Sequence, residues 1–256
     1  QALGGSLQVR VGPAVQVLAA LHAQAPFAEL VAHQETGNAF TYERDLQVGA
    51  WCRHAGVGWT ELPQFGVVRR LKSRNTWQAR WEAHMAAPQA ALPDLRFVNA
   101  SENSGPEVMT PPPGLQHNPA QRQRGGRRLG LETLHSFLDA RALSYRGGIS
   151  SPLTSPTACS RISAYLAWGC ISMREVVQST RAALEALPPQ AGRHRAGLIG
   201  FISRLYLHCH FIQKLESEPE IEWRNMHRGY DGLREDGWND AHFAALTSAR
   251  TGWPMV

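Results

Sequence analysis

Cys159-Ser160-Arg161-Ile162-Ser163-Ala164-Tyr165-Leu166-Ala167-Trp168-Gly169-Cys170-Ile171-Ser172 is the most informative run of this chain. It follows a second hydroxyl-rich stretch, Ser150-Ser151-Pro152-Leu153-Thr154-Ser155-Pro156-Thr157, whose prolines constrain the backbone just ahead of a helix predicted from about Ser160. A helix start offers unpaired backbone N–H groups and the positive end of its dipole. Arg161 adds a charge-assisted donor. The combination suits a phosphate or diphosphate, while a plain Ser/Thr cap is the commoner use of such clusters.

Outward from this run, helical spacing dominates. Leu131, Leu134 and Leu138 recur at core spacing, and 198–215 reads as a long helix. Upstream, residues from about Pro88 to Arg128 are rich in Pro, Gly, Asn and Gln and include the basic cluster Arg122, Arg124, Arg127 and Arg128. A stretch of that length without periodicity reads as a connector. The front third alternates strand and helix signals. These are a strand near Leu7–Val11, a helix with Val15, Leu18 and Leu21, and a strand over Leu30–His33. Then come a helix capped by Asp45 and ended by Gly56, a strand over Val57–Leu62, and a helix over Leu71–Met85 with Trp77 and Trp81 on one face. A β-α-β-α-β order implies a parallel sheet with helices on its faces.

The 159–172 run resembles the photolyase/cryptochrome pattern T-S-R-L-S-P-Y-L-A-x-G-x-I-S, with Cys159 where threonine is common and Ala164 where proline is common. Tyr145 stands where that family has a tyrosine reaching the flavin phosphates. Arg250-Thr251-Gly252-Trp253-Pro254-Met255-Val256 is similar to its G-x-T-G-Y-P-I-V-D-A, and Tyr42-Glu43-Arg44-Asp45 to its E-x-x-R-D. The resemblance implies an α/β Rossmann-like antenna domain with an incomplete parallel sheet (1–87), a connector (88–128), and the front half of an all-α FAD-binding domain (129–256). Gln1 at one end and Trp253–Val256 at the other read as a chain truncated at both ends. FAD is the implied cofactor, with Tyr145, Cys159, Ser160, Arg161, Ile162 and Ser163 as its contacts and no residue of the chain itself catalytic. Phe40 and Thr41 replace the Asn and Glu that bind folate in some members, so a second antenna chromophore is left open and folate is not favoured.

Phe201 to Phe211 falls where the family has E-L-x-W-R-x-F-Y. On that register Leu207 takes the place of the tryptophan that packs on a flipped pyrimidine dimer, His208 that of the arginine, and Arg204 that of the acid. Arg204 is grouped with the cofactor residues, and Leu207 and His208 with the substrate pocket. Leu207 cannot stack on a base as an aromatic ring does, and neighbouring Tyr206 points about 100° away on a helix. The resemblance therefore implies light-driven repair of damaged duplex DNA, or else a photoreceptor acting through a signalling protein.

Other features bound these readings. Net charge is +5, which attracts polyanions without requiring nucleic acid. The four cysteines are scattered with no C-x-x-C, which argues against a zinc site or a disulfide framework and for a reducing, cytoplasmic setting. His208 and His210 are two apart on a helix and diverge, so no metal is expected. No apolar run approaches the ~20 residues of a membrane span. A monomer is expected. Trp51, Trp59, Trp77, Trp81 and Trp168 are read as core packing.

Overall fold

A computed structural model describes residues 9–97, 119–120 and 122–253. The expected strand at Leu7–Val11 begins outside that set, and Val9–Val11 form no strand. The first helix, α1 (Ala14–Gln24), leads to β1 (Glu29–His33), α2 (Ala39–Ala55) and β2 (Gly58–Leu62). The two strands pair in parallel, from Glu29 opposite Gly58 to His33 opposite Leu62. Parallel neighbours need a crossover, which α2 provides. Among the described residues the sheet has these two strands.

Helix α2 is capped by Asn38, whose side chain accepts the Thr41 N–H, and ends at left-handed Gly56 (φ 70°). Asp45, expected as its cap, lies inside the helix. Its carboxylate instead takes Arg44 at 2.7 Å, and Arg44 also reaches Glu35. Val48 and Cys52 of α2 and Val57 beside β2 form a small core, with Leu18, Leu30, Trp51 and Trp59 packed against it.

Nearly all remaining burial belongs to the helices. These are α3 (Trp77–Ala86), α4 (Arg127–Asp139), three short turns of helix α5 (Tyr145–Gly148), α6 (Ser155–Ala158) and α7 (Ser163–Ala167), then α8 (Met173–Ala186) and α9 (Gly192–Ser217). Their core joins Trp77, Trp81 and Met85 of α3 to Leu134 and Phe137 of α4, Val176 and Val177 of α8, and Leu198, Phe201 and Leu205 of α9. The sequence reading groups α3 with the front domain, yet its two tryptophans seal the helical core, because their shared face is too apolar to leave on the small sheet. The Trp81–Arg181 contact and the Arg181–Glu82 ion pair hold α3 on α8 from outside.

The loop after β2 is tied to α9 by a side chain. Buried Gln213 accepts the Val68 N–H at 2.7 Å and donates to the Val68 carbonyl at 3.0 Å. Within α9, Gly197 allows the Arg141–Ser144 turn to approach so closely that a Cβ there would lie 1.9 Å from the Ala142 carbonyl oxygen.

The chain divides by contacts into two compact units, 1–217 and 218–256. The second holds short 3₁₀ turns and α10 (Asp240–Thr247), with Trp223, Trp238 and Trp253 exposed. Most of the expected connector lies outside the described residues, as do Pro254, Met255 and Val256. Among the described residues no helix is long and apolar enough to cross a membrane, and no group of three metal-ligating side chains occurs.

Candidate cofactor-binding site

The helix expected from Ser160 starts three residues later. Arg161 has φ 62°, a left-handed conformation costly to a side chain with a Cβ, so helical geometry begins only at Ser163, capped by Ile162. The resulting α7 spans five residues, and its dipole alone is a weak attraction for an anion. What favours an anion here is the side-chain charge and the backbone around the turn.

Tyr145, Cys159, Ser160, Arg161 and Ser163 line one cavity of about 480 Å³, with Gln123, Ile149 and Ser155 completing the wall. Tyr145 is buried and packed edge-on against Phe137 and Phe201. Burial pushes its phenol up, and the charge of nearby Arg204 acts the other way. Arg204 does not line the cavity but stands beside its tyrosine. Ile162 is 2% exposed, turned into the core and does not line the cavity, so the structure does not bring this expected contact to the wall.

Behind the wall lies Arg141. Its guanidinium donates to the carbonyls of Cys159, Ser160 (3.1 Å) and Thr133 (2.8 Å), and to Ser136 Oγ. It packs over Phe137. Burial, and then the charge of Arg161, lower its pKa from the usual guanidinium value. On the other side Gln123 Nε2 donates to the Arg161 carbonyl at 2.8 Å. Among the described residues, Arg141, Arg161 and Arg204 have no carboxylate partner, and the N–H groups of Ser160, Arg161 and Ile162 have no acceptor. Unpaired amides and uncompensated guanidinium charge around one concavity select an anion.

Leu207 and His208 do not line this cavity. The His208 ring lies edge-on to Phe65, and burial of the ring lowers its pKa although the residue keeps an open side. Tyr206 is committed elsewhere, 5.1 Å from Trp77 and 5.2 Å from Trp81. Trp168, read as core packing, is 85% exposed: it follows the end of α7, where left-handed Gly169 turns the chain outward. Two of the basic cluster are used structurally, Arg127 in a bidentate pair with Glu175 and Arg128 with Glu132. Arg141 and Gln123 carry no motif signal in the sequence; only the fold brings them to Cys159–Arg161.

No protein-family model and no curated protein matches the sequence. Solved structures do. A bacterial class III photolyase from Agrobacterium tumefaciens superimposes with a TM-score of 0.71 at 18% identity, over 95% of this chain and 52% of its own. An archaeal photolyase from Sulfolobus tokodaii, with two FAD molecules, gives 0.66 at 20% identity, over 99% of this chain and 53% of its own. The chain has the photolyase/cryptochrome fold and spans about half the length of these two proteins.

Proposed function

We propose that this chain is the phosphate-clamping part of a light-driven flavoprotein of the photolyase/cryptochrome kind. The observation that carries the reading is the cavity itself. Five residues singled out by sequence converge on it, and Arg161 in its wall, like Arg141 and Arg204 nearby, has no carboxylate partner among the described residues. A diphosphate linking two nucleoside-like halves fits such a wall, which supplies amides, the Ser160 and Ser163 hydroxyls, the Tyr145 phenol and Arg161. Bound FAD would supply the light absorption and electron transfer. The residues of this chain hold its phosphates and keep the Tyr145 side of the pocket dry. Cys159 replaces a hydroxyl with a thiol, a weaker donor, and so contributes mainly contact. An α/β Rossmann-like antenna domain, a connector over 88–128 and a helical FAD domain from 129 remain our assignment of the parts.

For the parent protein we favour repair of pyrimidine dimers in duplex DNA, supported by the net positive charge and by the photolyase fold. A cryptochrome-like photoreceptor is the second reading, and one observation favours it. Leu207 is aliphatic, and Tyr206 is locked against Trp77 and Trp81, so neither offers a free aromatic face to a flipped base. A monomer in the reducing cytoplasm, with its four cysteines as free thiols, fits either.

Calorimetric titration of this chain with inorganic diphosphate and with FAD tests the clamp. Both should bind, FAD weakly, because the wall described here holds phosphates alone. Arg161→Ala should weaken both by roughly 1.5–3 kcal/mol, the range for a charged hydrogen bond. Absence of binding, or indifference to Arg161, would refute the reading.

A further inference from the structure

We propose that Arg141, from behind the wall, and Gln123, within it, are positioning residues that preset this cradle by engaging three consecutive carbonyls of the loop, so that none is left free to face a ligand. The inference rests on the phosphate reading above and adds how the wall acquires its polarity. A short loop lined with peptide groups presents oxygens as readily as N–H groups, and oxygens repel phosphate. Here the carbonyls of Cys159 and Ser160 are both taken by the guanidinium of Arg141, and that of Arg161 by the Gln123 amide. Among the described residues no peptide is cis, and in a trans peptide the N–H points opposite to the carbonyl. Pinning the Cys159 and Ser160 oxygens on Arg141 therefore turns the N–H groups of Ser160 and Arg161 away from it; Ser160 and Arg161 line the cavity and Arg141 does not.

The same contacts explain why Arg161 holds a left-handed φ of 62°. Both peptides flanking it are fixed, at Ser160 O and at Arg161 O. Strain of this kind persists only where the surroundings over-determine it. Arg141 is outside the cavity lining and its fork is spent on backbone and Ser136, so it acts through the loop. Gln123 lies near the end of the expected connector, so that end of it is part of the site.

The test combines backbone NMR of this chain with titration by inorganic diphosphate. Arg141→Lys keeps the charge but lacks the planar fork that reaches the Cys159, Ser160 and Thr133 carbonyls together. It should move the carbonyl and amide shifts of residues 159–161, with Arg161 leaving its left-handed pattern, leave the α8 and α9 signals in place, and weaken diphosphate roughly five- to tenfold, on the order of two lost hydrogen bonds. Gln123→Leu should shift residue 161 and weaken binding roughly two- to fivefold by the same reasoning. If Arg141→Lys does not fold, Gln123→Leu decides alone. Unmoved shifts, or moved shifts with unchanged affinity, overturn the inference and leave the clamp reading intact. Failure of the unaltered chain to bind diphosphate refutes the clamp reading, and this inference with it.

Discussion

Gly197→Ala and Gly200→Ala, three residues apart in α9, should change stability in opposite directions. Both sites are helical, where alanine is intrinsically better than glycine by about 1 kcal/mol. At Gly200 the added carbon would meet Arg146 and Tyr145 atoms at 3.7–3.8 Å, ordinary contact, so most of that gain should appear. At Gly197 it would lie 1.9 Å from the Ala142 carbonyl oxygen and 2.9 Å from its carbon. These are backbone atoms, so no side-chain rotation relieves the clash, and α9 or the Arg141–Ser144 turn must move. Overpacking costs roughly 1–3 kcal/mol and occasionally more. A 1.9 Å approach to backbone places Gly197→Ala at the upper end of that range, so with the propensity gain subtracted we expect a net loss of about 2 kcal/mol. Urea unfolding followed by far-UV circular dichroism reads both variants. Because Ala142 adjoins Arg141, Gly197→Ala should also weaken diphosphate, whereas Gly200→Ala should not through this route. Equal signs for the two variants, or a neutral Gly197→Ala, would refute the argument.

Arg161→Gly should separate fold from function: removing the Cβ relieves about 1 kcal/mol of left-handed strain, so urea stability holds or rises while diphosphate affinity falls at least roughly tenfold. Cys209, buried and pushed up to about 11, should resist alkylation at pH 8 in the folded chain while Cys159 and Cys170 react; mass spectrometry of labelled peptides gives the order. His84 is lowered by burial first and by Arg174 second, so unfolding takes up a proton. Its contribution is complete above the unfolded value of about 6.5 and is lost as pH falls below it. Urea midpoints at pH 7.5 and 5.5 should differ, and His84→Gln should narrow the difference. In a full-length parent, Leu207→Trp should raise preference for dimer-containing DNA without altering the flavin spectrum; a gel-shift series with damaged and undamaged duplex reports it.

The cavity wall was legible in sequence where its residues are contiguous: Cys159, Ser160, Arg161 and Ser163 form one run, and Tyr145 precedes it at a recognisable interval. Arg141 and Gln123 were not, because their partners are backbone carbonyls, which every stretch of chain offers. The helix start was misplaced by three residues for a related reason. Ser160 has the composition of a cap, but the left-handed turn at Arg161 is set by contacts from distant parts of the chain. Local composition likewise named Asp45 as a cap when Asn38 was equally able, and the longer helix won because α2 spans the full crossover between its strands. The pairing of Trp77 with Trp81 was correctly placed on one helical face, but periodicity identifies an apolar face without saying what it packs against.

Gln213 bears on how chimeras of such proteins can be cut. Its amide makes with Val68 the reciprocal pair of bonds that two residues in adjacent strands exchange, so the segment after β2 is stitched to α9 as though by one rung of a ladder. A graft that replaced residues 1–87 as a block would carry Val68 and α3 off together and leave a buried side-chain amide facing an unfamiliar loop. Each lost partner would expose the fold to the desolvation penalty of an unsatisfied buried group, roughly 1–3 kcal/mol. A seam placed between β2 and Phe65 keeps that rung and both α3 tryptophans with the helices they serve. The exchangeable module is therefore shorter than the alternation of strands and helices suggests.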